Sequence, residues 1–168
     1  PQIPDFADKE VFDGPQVHSS AFRADSNVEG KNVVIIGANN SAHDIAVELV
    51  KAGAAPTMVQ RSSTLVVKQS DFCERLMGAL YSAEAVARGV TTDRADIIAA
   101  SIPTRMLEKA QVPVWNKLRE DRKDYYQALT DAEFALDFAE DGAGLGLKYR
   151  RTASGYYIDV GASDMVID

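Results

Sequence analysis

Asn32-Val33-Val34-Ile35-Ile36-Gly37-Ala38-Asn39-Asn40-Ser41-Ala42-His43-Asp44-Ile45-Ala46-Val47-Glu48-Leu49 changes its apolar period halfway. Asn32 to Ile36 is a short β-branched run, the pattern of a buried strand. From Ala42 the apolar residues Ala42, Ile45, Ala46 and Leu49 recur on one helical face. Gly53 ends that helix, as glycine does just beyond a last turn. Pro56 to Arg61 reads as a second strand. Strand, helix and strand within about 30 residues make a βαβ unit, which implies parallel pairing and a right-handed crossover. The expected fold class is therefore α/β, a Rossmann-like parallel sheet flanked by helices.

The turn inside this stretch carries the chemistry. A tight turn aims the unpaired N–H groups of a helix N-terminus at a pyrophosphate, and the helix dipole favours the negative charge. Gly37 permits the turn, and Ala42 is the small residue where helix packs closely on strand. The middle small position is Asn39, where glycine would let backbone approach a phosphate; Asn39 departs from the pattern. Asn40 or Ser41 is expected to cap the helix and donate to a phosphate oxygen. An ordinary strand–helix turn without a ligand is the competing reading.

The end of the second strand separates two nucleotides. NAD-specific sites place a carboxylate there for the ribose 2′-hydroxyl. Nineteen residues beyond Ala42 stands Arg61, with Gln60 before it and Ser62 and Ser63 after it, and no Asp or Glu lies between Thr57 and Ser70. A guanidinium and hydroxyls suit a 2′-phosphate, so NADPH is expected over NADH. A solvated surface arginine is the alternative at Arg61.

Outward from this unit, residues 1–30 read as an irregular connecting segment, turned at Pro1, Pro4, Gly14 and Pro15. Residues 31–168 read as the nucleotide-binding domain, with a helical insertion over about 70–141. In the insertion, Phe72, Cys73, Leu76, Met77 and Leu80 form one stripe capped by Ser70, and Cys73 is expected in the core. Thr92–Ile102 forms a second helix, and Pro103 opens a third down to Ala110. Trp115, Leu118 and Tyr125 lie along a fourth, and Thr130 with Glu133 forms a capping box for a fifth. Arg119 to Asp124 is a mixed charge run expected on a solvated helix face. Beyond Gly142, Gly144 and Gly146 strands are expected: Lys148–Arg150 and Tyr156–Ile158 as an antiparallel hairpin, and Asp164–Ile167 as a last strand. His43 is expected at the surface.

Composition narrows the function classes. The chain has 168 residues, 46% hydrophobic and 26% charged, with a net charge of −7. That charge argues against nucleic acid or an anionic membrane as partner. No apolar run is long enough for a membrane span, no signal peptide is visible, and the single Cys73 suits a reducing cytoplasm. Two distant histidines and one cysteine do not make a zinc site, so no metal is expected. No Gly-x4-Gly-Lys-Ser/Thr run exists for a P-loop. Tyr125-Tyr126 lacks the lysine four residues on that a short-chain dehydrogenase needs; Leu129 and Thr130 stand there.

Three segments together resemble the flavin-containing monooxygenases, the class B flavoprotein monooxygenases. Phe12, Gly14, His18 and Phe22 match the family fingerprint Phe-x-Gly-x-x-x-His-x-x-x-Trp/Tyr/Phe, and Phe22 is closer to the nitrogen- and sulfur-oxidising branch than to the Baeyer–Villiger branch. Gly37 to Ile45 is similar to the family's NADPH stretch, Gly-x-Gly-x-Ser-Ala/Gly-x-Asp/Glu-Ile. Val59 to Thr64 is similar to its Val-x-Gln-Arg-Ser strand end. Pro1 to Pro4 resembles the lead-in Pro-x-Ile-Pro, and Gly155 to Gly161 resembles a fungal or bacterial subgroup.

The resemblance implies an enzyme in which NADPH reduces FAD by hydride transfer and the reduced flavin delivers oxygen to a nitrogen, sulfur or carbonyl substrate. It implies that His18 is a loop residue linking nucleotide binding to domain position. The family's first dinucleotide fingerprint, for FAD, and its closing Ala-Thr-Gly stretch are absent. The glycines at 142, 144 and 146 do not replace them, since no strand precedes and no helix pattern follows. The chain thus reads as the NADPH domain from between two parts of a flavin domain, unable to turn over alone, with FAD only in the complete enzyme. Expected partners are that flavin domain and a small-molecule substrate, with a homo-oligomer left open. Cofactor contacts are expected from Gly37, Asn39, Asn40, Ser41, Ala42, Gln60, Arg61, Ser62 and Ser63, and no catalytic residue is named. The second reading is a non-catalytic interaction module of the same fold with lost or weak nucleotide binding.

Overall fold

A computed structural model describes residues 3–23 and 27–168. Pro1 of the lead-in and residues 24–26 of the connecting segment lie outside the described residues. Two short 3₁₀ turns, Lys9–Val11 and Ser19–Ala21, precede the first strand. Strand β1 is Asn32–Ile36, helix α1 is Asn40–Lys51 and strand β2 is Ala55–Val59. β1 and β2 pair in parallel, with Val34 opposite Thr57 and Ile36 opposite Val59. Ala42, Ala46 and Leu49 turn inward with Ile35 into one apolar cluster, against which Phe22 of the connecting segment packs.

A second parallel pair has no counterpart in the sequence expectations. Strand β3 is Leu65–Lys68, and its partner β4 is Tyr156–Asp159. Leu65, Val66 and Val67 are all fully buried, as parallel strands covered on both faces should be. The expected hairpin is not formed. Lys148–Arg150 belongs instead to helix α7, Leu145–Thr152, so Tyr156–Ile158 finds its partner far away in sequence. Asp164–Ile167 is likewise helical, in α8, Ala162–Ile167. The two sheets, β1-β2 and β3-β4, are separate rather than one.

Between β3 and α7 the chain is helical. Helix α2 (Gln69–Asp71) runs directly into a π-helical stretch, Phe72–Met77. Its cap position is Lys68, not Ser70. Each π turn holds more residues than an α turn. The stripe from Phe72 to Leu80 is therefore broken, and Cys73 is exposed rather than packed. Helices α3 (Ala83–Ala87), α4 (Thr92–Ser101), α5 (Thr104–Asp121) and α6 (Lys123–Asp131) follow. The third helix expected from sequence and the Trp115–Leu118 part of the fourth merge into α5, which continues through Pro113 because Trp115 and Leu118 anchor its second half in the core, whereas Tyr125 falls in α6. The capping box is not formed: Thr130 sits inside α6 and donates to the Tyr126 carbonyl, while Glu133 has φ 61. The charge run is only partly solvated. Arg122 grips the buried carboxylate of Asp71 at 2.8 and 3.1 Å, and Arg75 reaches the same group at 3.0 Å.

The larger core joins β3, β4, α5, α6, α7 and α8 through Val66, Trp115, Leu129, Leu145, Tyr157 and Ala162. Helix α1 lies between the two strand pairs. Its apolar face covers β1-β2, and its first turn meets β4. No helix among the described residues is long and apolar enough to cross a membrane.

Candidate nucleotide site

The turn after β1 is built by backbone. Gly37 has φ 126, a conformation L side chains rarely adopt, and a Cβ there would meet nothing within 4 Å. Glycine is therefore needed for the bend rather than for space. The Gly37 N–H donates to the Val59 carbonyl at 3.0 Å, so the turn and the end of β2 lie side by side.

Asn39 is the residue preceding α1, with φ −100 and ψ −174. This is extended backbone open to any residue, so the departure from glycine costs no strain here. The Asn39 side chain makes no capping bond and is exposed. Its carbonyl accepts from the N–H groups of Ala42 and His43 at 3.0 and 3.2 Å. Asn40 and Ser41 give their N–H groups to no carbonyl among the described residues, leaving the helix-start donors that an anion would use. Asn40 does not cap. Its Oδ1 accepts from the Ile158 N–H at 2.9 Å and ties the turn to β4. Ser41 is exposed, and Ala42 is buried in the small-residue position.

Beyond β2 the four expected residues divide into two pairs. Gln60 spends its amide inside the fold: its Oε1 accepts from Ala135 N–H and its Nε2 donates to Ala135 O, both at 2.9 Å. Ser63 donates to Asp137 at 2.7 Å, and Asp137 also pairs with Lys148. Burial alone pushes the Asp137 carboxyl up, but Lys148, the Ala139 N–H and Ser63 outweigh it and hold it below the usual carboxylate value. Arg61 and Ser62 are exposed, and Arg61 forms no ion pair among the described residues.

His43 is not at the surface. It is 1% exposed, its ring stacks on Tyr157 at 3.9 Å between centroids and 2° between planes, and Phe134 tilts against it at 5.8 Å. Its Nδ1 lies 3.1 Å from the Asn39 carbonyl. A carbonyl only accepts, so Nδ1 carries the hydrogen. Burial pushes the imidazole below its ordinary value, against the Asn39 bond and the charges of Asp159 and Asp44. Nothing local in the sequence marks this burial; the only signal was the Gly155–Gly161 segment that supplies Tyr157.

His18 makes no ring contact of this kind among the described residues. Its Nδ1 accepts from the Ser20 N–H at 3.1 Å and caps the Ser19–Ala21 turn.

A family model described as pyridine nucleotide-disulphide oxidoreductase matches residues 2–125, and the chain belongs to that family. Within it, the relatives it resembles are flavin-containing monooxygenases, and it is a member of that group. It is 39% identical over 69 residues to the FAD-containing monooxygenase EthA of Mycobacterium tuberculosis, covering 40% of this chain and 14% of that protein. It is 32% identical over 72 residues to an indole-3-pyruvate monooxygenase of Oryza sativa subsp. japonica, covering 43% of this chain and 18% of the relative. It is 30% identical over 131 residues to dimethylaniline monooxygenase (N-oxide-forming) 4 of Homo sapiens, covering 77% of this chain and 22% of the relative. The chain thus matches less than a quarter of each relative's length.

Proposed function

We propose that residues 31–168 form the NADPH-binding part of a flavin-dependent monooxygenase, with residues 1–30 as the connection to its flavin domain. The observation that carries this reading is the juxtaposition of two groups: an open glycine turn at the start of α1, and an exposed Arg61, with no ion pair among the described residues, just beyond Val59, the residue bonded to that turn. The backbone N–H groups of Asn40 and Ser41, the Ser41 hydroxyl and the turn at Gly37 and Asn39 would hold the pyrophosphate. Ala42 would let the helix start lie close to β1. Arg61 and Ser62 would hold the 2′-phosphate, and Gln60 and Ser63 would fix that strand end through Ala135 and Asp137. The chemistry NADPH supplies when bound is a hydride for flavin reduction. The chain's own share is to bind the nucleotide and orient it.

The outer face of β1-β2 supports a place in a larger protein. Val34, Ile36 and Val59 are all exposed on it, whereas parallel sheets are ordinarily covered on both faces. The relatives' names support the oxygenation of a small molecule by that larger protein.

The test is to titrate the chain with NADPH and NADH separately and follow cofactor fluorescence. NADPH is expected to bind more tightly. A response to neither cofactor overturns the reading. It leaves the second one, an interaction module of the same fold, which the internal engagement of Gln60 and Ser63 favours.

A further inference from the structure

We propose that His43 is a positioning residue for the nucleotide turn: its Nδ1–H holds the Asn39 carbonyl while its ring, stacked on Tyr157, fastens that turn to β4. The inference rests on the nucleotide reading above and adds a residue to it.

Three observations converge on the imidazole. The Asn39 carbonyl already accepts the Ala42 and His43 backbone N–H groups, and the His43 Nδ1–H is a third bond to the same oxygen. That oxygen belongs to the peptide preceding Asn40, the first residue of α1, whose N–H is offered to the phosphate. Holding the oxygen fixes the plane of that peptide and so the aim of the N–H. The ring face of His43 lies flat on Tyr157, whose hydroxyl accepts from Val160 and Ala162 N–H at 3.1 and 3.2 Å, so Tyr157 is itself immobile. Phe134, tilted against the same ring, neighbours Ala135, which Gln60 grips from the end of β2. One side chain therefore touches the turn, β4 and the segment beside Arg61.

This arrangement also makes the turn responsive to acid. The second proton would go on Nε2 and place a cation among buried aromatic rings. The charged or titratable groups facing it are Asp159 and Tyr157 from β4 and Asp44 from its own helix; Phe134 carries no charge. Burial outweighs the Asn39 bond and the two carboxylates, all of which favour the charged ring, so protonation drives the imidazole from its packed position and the bond to Asn39 is lost with it.

The experiment uses NADP⁺, which survives acid, with the wild-type chain and two variants between pH 8 and 5.5. His43→Phe keeps the ring and removes the donor; His43→Asn keeps a donor near the Nδ1 position, removes the ring and does not titrate. At pH 8, His43→Phe is expected to bind about fivefold more weakly, the scale of one lost hydrogen bond. His43→Asn should bind more tightly than His43→Phe. The 2′-phosphate titrates in all three, so the reading is the extra loss on acidification in wild type, which both variants should lack. A wild-type slope in a folded His43→Phe overturns the proposal. Amide shifts of Asn39, Asn40 and Ile158, followed by NMR in wild type without nucleotide, give a second readout that needs no variant. They should titrate together with the His43 ring, and shifts that ignore it overturn the proposal. If wild type binds no NADP⁺ at any pH, the nucleotide reading fails, and these shifts still decide whether His43 governs the turn.

Discussion

Gly144 lies flat against the Trp115 indole: a Cβ at this position would sit 1.9 Å from Cε2 and 2.0 Å from Nε1. The indole N–H beside it is buried and has no hydrogen-bond partner among the described residues. Gly144 also has φ 73 and ψ −156, which L side chains rarely adopt. Both features require glycine at the start of α7. Gly144→Ala should therefore destabilise the chain by about 3 kcal/mol or more, combining overpacking with backbone strain. Gly146, two residues on and inside the helix, would place a Cβ in open space. Gly146→Ala should stabilise by about 0.5–1 kcal/mol through helix propensity. Urea denaturation of both variants reads the contrast, and equal effects would show that Trp115 does not set the packing.

That contrast shows what the sequence conveyed. The β1–α1–β2 stretch was legible because its patterns are local: β-branched residues, then a 3.6 period, then glycine. Arg61 was legible for the same reason. α7 was missed because Gly144, the residue before it, offers no capping side chain and the helix carries Tyr149, which suits a strand equally well. β3 and β4 were missed as a pair because parallel strands may join across any separation; Asn40 and Ile158, which help set that contact, are 118 residues apart. α8 was read as a strand because its cap comes from outside it: the Asp159 carboxylate accepts from Gly161 and Ser163 N–H at 2.8 and 3.3 Å. His43 looked like a surface residue because its partners Tyr157 and Phe134 come from elsewhere in the chain.

Arg61 is the residue on which the choice of nucleotide turns. Arg61→Ala removes charge-assisted hydrogen bonds to a 2′-phosphate, a loss of about 1.5–3 kcal/mol or roughly ten- to a hundredfold in NADPH affinity. NADH lacks that phosphate, so its affinity should stay within about twofold. Paired fluorescence titrations separate the two, and equal losses would remove the 2′-phosphate role.

Asn39 tests whether a side chain obstructs the pyrophosphate. Its extended backbone suits glycine and asparagine alike, and its amide caps nothing. Asn39→Gly should change stability by only a few tenths of a kcal/mol. NADPH should bind more tightly once the side chain no longer occupies the phosphate approach. Weaker binding would make the Asn39 amide a ligand rather than an obstacle.

Acid should weaken the fold in two windows. The folded-state value of His43 lies below the ordinary 6.5. As pH falls below about 6.5 the unfolded chain takes up this proton first, so the stability held above that value is lost down to the folded value. The second window belongs to carboxylates such as Asp159. Burial alone pushes its carboxyl up, but the Tyr125 hydroxyl, which donates at 2.7 Å, and the Gly161 and Ser163 N–H groups outweigh burial and hold it below the ordinary 3.8. Its contribution is complete above about 3.8 and is lost as pH falls through the folded value. Burial pushes the Tyr125 phenol well up, so it remains a donor across both windows. Tyr125→Phe removes that donor and leaves burial less opposed, so the Asp159 carboxyl rises. The variant should lose about 1.5–3 kcal/mol at neutral pH, the range for a hydrogen bond to a charged group. Its lower acid midpoint, followed by circular dichroism, should move to higher pH while the His43 window stays in place. An unmoved lower midpoint would mean that the backbone N–H groups alone hold Asp159 ionised.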